Sequence, residues 1–159
     1  MKVITAPERL AIQSTALFLA GSIEQDTAEK WQAKIIEATN GLNITLLNPR
    51  RKNWDASWKE NIENPPFKEQ VNWELDALEL ADWIIFYFDK ATKSPITLLE
   101  LGLFATSNKL IVCCPEGYWK KGNVDIICQR HQIPQVANLN DLIAWLYQKF
   151  ENENRRSRI

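Results

Sequence analysis

The run WIIFYFD at residues 83–89 sets the strongest limit on what this chain can fold into. Six apolar or aromatic residues in succession suit a strand covered on both faces. ALFLAG (16–21) is a second such run, ending in glycine, and NITLLNPR (43–50) is a third, stopped by Pro49. KLIVCCPEG (109–117) is a fourth, and QVAN (135–138) is a weaker fifth. Buried strands of this kind need helices on both sides, and the intervening segments supply them.

Residues 22–41 place Ile23, Ala28, Trp31, Ile35 and Ile36 at helical spacing, and Asn40-Gly41 ends them as a helix stop. FKEQVNWELDALELAD (67–82) sets Phe67, Val71, Leu75 and Leu78 on one helical face. A third helix follows Ser94-Pro95, a short one lies around VDIICQRH (124–131), and LNDLIAWLYQKFENEN (139–154) closes the series. The alternation predicts one doubly wound α/β domain over 1–159, with a parallel five-stranded sheet in the order 2-1-3-4-5. Its core spans about 14–150, and 151–159 read as a frayed tail.

In such sheets the ligand sits beyond the carboxyl ends of the strands, near the point where the strand order reverses. Those ends carry Gly21-Ser22, Asn48-Pro49-Arg50-Arg51, Asp89 to Pro95, and Pro115-Glu116-Gly117. The long polar connection from Arg51 to Pro66, with Trp54 and Trp58, reaches the same end of the sheet.

Composition narrows the partners. Nineteen Lys and Arg against twenty Asp and Glu leave a net charge of −1, which argues against nucleic acid or an anionic membrane as partner. No apolar run reaches spanning length. The opening residues are broken by Glu8 and Arg9 and read as a lead-in to a strand, not a signal peptide. Cys113, Cys114 and Cys128 lack CxxC spacing, and His131 is the single histidine. No metal site and no cofactor are expected, and the cysteines read as reduced, buried thiols of a cytoplasmic protein.

Two carboxylates stand out. Glu100 is the one charge in SPITLLELGLFA (94–105), among Leu98, Leu99, Leu101, Leu103 and Phe104. A carboxylate in that setting costs several kcal/mol unless it is paired or does chemistry. It is either an acceptor for loose backbone N–H groups or a nucleophile or acid/base group shielded from water. Gly102, two residues on, is poor helix material and suggests a close approach of backbone or ligand. Glu74 can share the inward side of Val71 and Leu78, or pair with a lysine on the helix surface; Trp73 beside it reads as packing. Arg50 and Arg51 are suited to clamping a phosphate or carboxylate, or are surface arginines near Asp55 and Glu60. Ser22 and Ser94 are helix N-caps, ligand contacts, or both.

LFLAGSI, LLNPRRKNW, EQVNWELDALELADWIIFYF and PITLLELGLFA together resemble the nucleoside 2-deoxyribosyltransferase-like proteins, from about residue 14 to about 134. Their superfamily includes deoxynucleoside monophosphate N-hydrolases. The resemblance implies a flavodoxin-like (Rossmann-like) fold, cleavage of the N-glycosidic bond of a small-molecule nucleoside or nucleotide, no cofactor, and assembly as a homodimer. It makes Glu100 the nucleophile at the anomeric carbon and Glu74 the carboxyl that meets the base. Gly21, Ser22, Asn48, Arg50, Arg51, Asp89 and Ser94 are the candidate substrate-binding residues. Phe18 stands where the family often has a tyrosine. Ser94 and Ser22 match the monophosphate hydrolases and favour hydrolysis over base transfer. Glu24 stands where those hydrolases have arginine, a loss for which Arg50 or Arg51 can compensate. The alternatives are a nucleotide sensor that does not cleave, which Phe18 favours, and an interaction domain with a vestigial crevice.

Overall fold

Alternation within the strands decides the architecture. In β2 (Thr15–Gly21) the side chains of Ala16, Phe18 and Ala20 enter one buried cluster, and those of Leu17 and Leu19 enter another. The same division holds in β4 (Trp83–Tyr87), with Ile84 and Phe86 on one side and Ile85 and Tyr87 on the other. A strand buried on both faces has no polar face, which is why these runs are continuous. Each large apolar side chain buried this way contributes roughly 1.5–3 kcal/mol.

The computed structural model describes residues 1–23 and 30–156, with side chains to Glu151. The remaining strands are β1 (Lys2–Thr5), β3 (Ile44–Asn48), β5 (Leu110–Cys113) and β6 (Gln135–Val136). All pairings are parallel, and the order is β1-β3-β2-β4-β5-β6. The expected order 2-1-3-4-5 is present as β3-β2-β4-β5-β6. The sheet gains a sixth strand, because the expected lead-in pairs with β3, Lys2 opposite Thr45 and Thr5 opposite Asn48.

The helices are α1 (Trp31–Ala38), α2 (Pro65–Leu80), α3 (Pro95–Phe104), α4 (Lys121–His131) and α5 (Leu139–Arg156). Side chains of α2, α3 and α4 cover one face of the sheet, and those of α1 and α5 cover the other. The helix expected from residue 22 begins at Trp31, with residues 24–29, including Glu24, outside the described residues. The tail expected over 151–159 overlaps the last turns of α5, and 157–159 also lie outside the described residues. Cys113, Cys114 and Cys128 are buried and form no disulfide. Burial pushes Cys114 up to about 12 and Cys128 up to about 11, so neither is a nucleophile. No helix among the described residues is long and apolar enough to cross a membrane.

The inward face of α2 differs from expectation. Gln70, Trp73, Ala77 and Leu78 are buried, while Leu75 is 37% exposed. The indole of Trp73 donates to the carbonyl of Glu8 at 2.7 Å, and this large anchor sets the rotation of the helix. The stripe 70-73-74-77 is then the one at i, i+3, i+4, i+7, and Glu74 belongs to it. Pro65 and Pro66 start the helix, where a missing N–H costs nothing. At its other end Lys109 Nζ donates to the carbonyls of Leu78, Glu79 and Ala81 at 2.8–3.0 Å, satisfying groups that a helix end leaves open.

Candidate functional site

The carboxyl ends of β2, β3 and β4 bring the expected residues to one end of the sheet. Gly21 lies in the sheet opposite Tyr87. A Cβ there would stand 2.5 Å from the Tyr87 carbonyl oxygen and 2.7 Å from the Trp31 ring. Trp31 stacks on Tyr87 with ring centroids 5.0 Å apart, and its Nε1 donates to the Ser22 carbonyl at 3.0 Å. Close packing therefore accounts for this glycine.

Ser22 and Ser94 are buried and hydrogen-bonded to each other. Thr92, which sequence reasoning missed, completes the cluster, its Oγ1 2.8 Å from each serine hydroxyl. The Asp89 backbone N–H donates to Ser22 Oγ at 3.0 Å. The Asp89 side chain accepts from Ala91 N at 2.8 Å and shapes the turn. Ser94 holds the N-cap position of α3, with Pro95 after it, but makes no capping bond. Its backbone is left-handed, φ 50° and ψ 53°, and its hydroxyl goes to Ser22 and Thr92 instead. Ser22 caps no described helix either, since α1 begins at Trp31. The N-cap reading of both serines is thus replaced by a hydroxyl cluster that ties β2 to the loop after β4. From the other side, Tyr118 Oη and Trp119 Nε1 donate to the Lys93 carbonyl at 2.7 and 3.0 Å.

At the end of β3, Asn48 Oδ1 accepts from the Arg50 backbone N–H at 3.0 Å and closes the turn. The Arg51 guanidinium pairs with Glu69 of α2 at 2.8 Å and lies over the Trp58 ring at 5.2 Å. Its acidic partner is therefore Glu69, and not Asp55 or Glu60 as the surface reading supposed. Arg50 is half-buried. A cavity of about 320 Å³ in the long connection is lined by Ser57, Trp58, Lys59, Asn61, Glu63 and Asn64, none of them a candidate residue.

Glu74 and Glu100 are both half-buried. Glu100 lies in the second turn of α3, whose Thr97 and Leu101 are buried. Leu99 and Leu103 point outward, 68% and 61% exposed, so the leucines do not enclose the carboxylate as the sequence suggested. Gly102 is exposed with nothing within 4 Å of an added Cβ, so the expected close approach is not made by the described chain. Among the described residues no donor bonds the Glu100 carboxylate. Burial pushes Glu100 up to about 8, and the charge of Glu74 adds to it. Burial also raises Glu74, opposed by a 2.8 Å hydrogen bond from Gln70 Nε2. Glu74 is therefore not a surface acid paired to a lysine. Two carboxylates that feel each other in a desolvated setting hold a proton between them near neutral pH. Such a pair can supply a nucleophile and an acid to one reaction. Among the described residues no group of three or more His, Cys, Asp or Glu is placed to hold a metal.

A family model described as nucleoside 2-deoxyribosyltransferase like matches residues 14–118. The chain belongs to the nucleoside 2-deoxyribosyltransferase-like family. That match contains Glu74, Glu100 and every candidate binding residue. Members of this family are related to enzymes that act on nucleosides. Among solved structures, the crystal structure of a conserved protein from Enterococcus faecalis V583 is similar, with a TM-score of 0.63 and 13% identity. The likeness covers 87% of this chain and 100% of that one and speaks to the fold alone. No curated protein matches the chain in sequence.

Proposed function

We propose that this protein cleaves or transfers the N-glycosidic bond of a (deoxy)nucleoside or its 5′-monophosphate. The observation that carries this reading is a pair of half-buried carboxylates, Glu74 and Glu100, close enough for the charge of the first to act on the second, in a chain of this family. Glu100, once ionised, attacks the anomeric carbon. The bond from that carbon to the base breaks, its electron pair goes to the base nitrogen, and Glu74 delivers a proton to the base. The transition state is oxocarbenium-like, and a carboxylate beside it is stabilising. Water then attacks the anomeric carbon of the glycosyl ester, its proton passes to Glu74, and the bond to Glu100 breaks to return the carboxylate; an acceptor base in place of water makes the reaction a transfer. Hydrolysis is the preferred form, because serines stand at 22 and 94.

The working pair needs its proton on Glu74 and its charge on Glu100. Without a base to accept from Glu74, burial and the charge of Glu74 both weigh against an ionised Glu100. A base whose ring nitrogen accepts from Glu74 draws the proton across. Arg50 and Arg51 are the candidates for a 5′-phosphate; the Arg51 guanidinium also pairs with Glu69. The protein is read as one cytoplasmic domain that forms a homodimer; Ile96, Leu99 and Leu103, an exposed apolar face of α3, support the latter.

A second reading, a nucleotide sensor without turnover, is favoured by Phe18. It is 1% exposed, on the face of the sheet that α2 and α3 cover, and brings no hydroxyl to the nucleophile. Release of free base from a panel of deoxynucleosides and their monophosphates, with and without an acceptor base, separates the two. Turnover is expected. Thermal stabilisation by a ligand with no base released would establish the sensor instead.

A further inference from the structure

Gln70 is the one polar side chain of α2 that packing buries outright, at 4% exposure. Its Nε2 stands between two acceptors, the carbonyl of Pro49 just beyond β3 and Oε1 of Glu74, each at 2.8 Å. Its own Oε1 is buried and has no partner among the described residues. An apolar side chain of equal size would spare the unpartnered Oε1 but would leave the Pro49 carbonyl and Glu74 without this donor. The amide is thus explained by what its nitrogen does. Its orientation is also decided: turned over, Oε1 would face two acceptors.

Both hydrogens of Nε2 are committed, one to a proline whose backbone is stiff and one to the carboxylate. Donation to a carboxylate favours its ionised form. Glu100 receives no such bond among the described residues, and of the surrounding charges Glu74 is the one that raises it. On α2 itself Glu69, Asp76 and Glu79 are exposed and act on neither member of the pair. We propose that Gln70 is a positioning residue of this site, tying the Glu74 carboxylate to the end of β3 and biasing it toward its ionised form. This deepens, and rests on, the reading of Glu74 and Glu100 as the working pair.

The test is a double-mutant cycle of Gln70→Met and Glu74→Gln with two readouts. Carboxyl-carbon NMR of the unliganded protein follows titration. In Gln70→Met, Glu74 should titrate higher than in wild type and Glu100 lower, and the melting temperature should fall modestly as the Pro49 carbonyl loses its donor. Base release should fall about tenfold or more in Gln70→Met, and the same change should have no effect once residue 74 is Gln. Gln70→Asn, polar but one methylene short, is the second variant and should give the same shifts. Unchanged titrations in both variants, or rate effects that simply add, would overturn the proposal. If wild type releases no base, the functional reading fails, and the titrations still decide the role of Gln70.

Discussion

Glu74 on α2 and Glu100 on α3 repel each other, and the repulsion adds to burial in holding Glu100 at about 8. Its ordinary value is 4.5, so the folded state binds this proton more tightly than the unfolded chain does. Stability from this group is complete below about 4.5 and is lost as pH rises toward 8. Glu100→Gln removes the titration. Its urea midpoint should vary less between pH 5 and pH 8 than that of wild type, and at pH 8 it should be the more stable protein. The gain should be on the order of a few kcal/mol at most. Base release should fall by orders of magnitude, since the covalent route is closed. A destabilised mutant that still releases base would mean that Glu100 is not the nucleophile.

Glu74→Gln should fold normally, because Gln70 can still meet an amide oxygen at 74. The charge that raises Glu100 disappears, so Glu100 should titrate below about 8. The amide gives the leaving base no proton, so rate should fall or base preference change. Kinetics unchanged across several bases would return Glu74 to an ordinary helix position.

The hydroxyl cluster of Ser22, Thr92 and Ser94 lies beside the N-terminus of α3, where an anion is favoured. If it turns toward a 5′-phosphate, with Arg50, monophosphates should outrun nucleosides by at least about tenfold, since a charged hydrogen bond is worth roughly 1.5–3 kcal/mol. Ser94→Ala should lower the monophosphate rate more than the nucleoside rate. Equal rates on both substrate forms would leave the cluster as a structural tie.

Gly21→Ala should lower the melting temperature, because Tyr87 is fixed in β4 and Trp31 is stacked on it. Overpacking of this kind costs about 1–3 kcal/mol, or roughly 2–4 °C for each kcal/mol in a chain of this size. An unchanged melting temperature with ligand binding lost would assign Gly21 to the ligand instead.

The sequence by itself determined the layered α/β fold and the end of the sheet that carries the candidate residues. Burial on both faces forces apolar runs such as WIIFYFD, and proline and glycine mark where strands stop; both are local signals. It also singled out Glu100, because a lone charge among leucines is visible without coordinates. Tertiary structure decided the rest. The sixth strand depended on a long-range pairing of Lys2–Thr5 with β3, which no local pattern announces. The rotation of α2 was set by Trp73 reaching Glu8, so Leu75 turned outward and Gln70 inward. Gln70 stands four residues before Glu74, a spacing visible in the sequence, but only packing shows that its amide is buried and bound to Pro49. The partners of Ser22, Ser94 and Arg51 were likewise a matter of tertiary contact. A hydroxyl or guanidinium can satisfy itself in many ways, and the choice falls to whatever distant group the fold brings within about 3 Å.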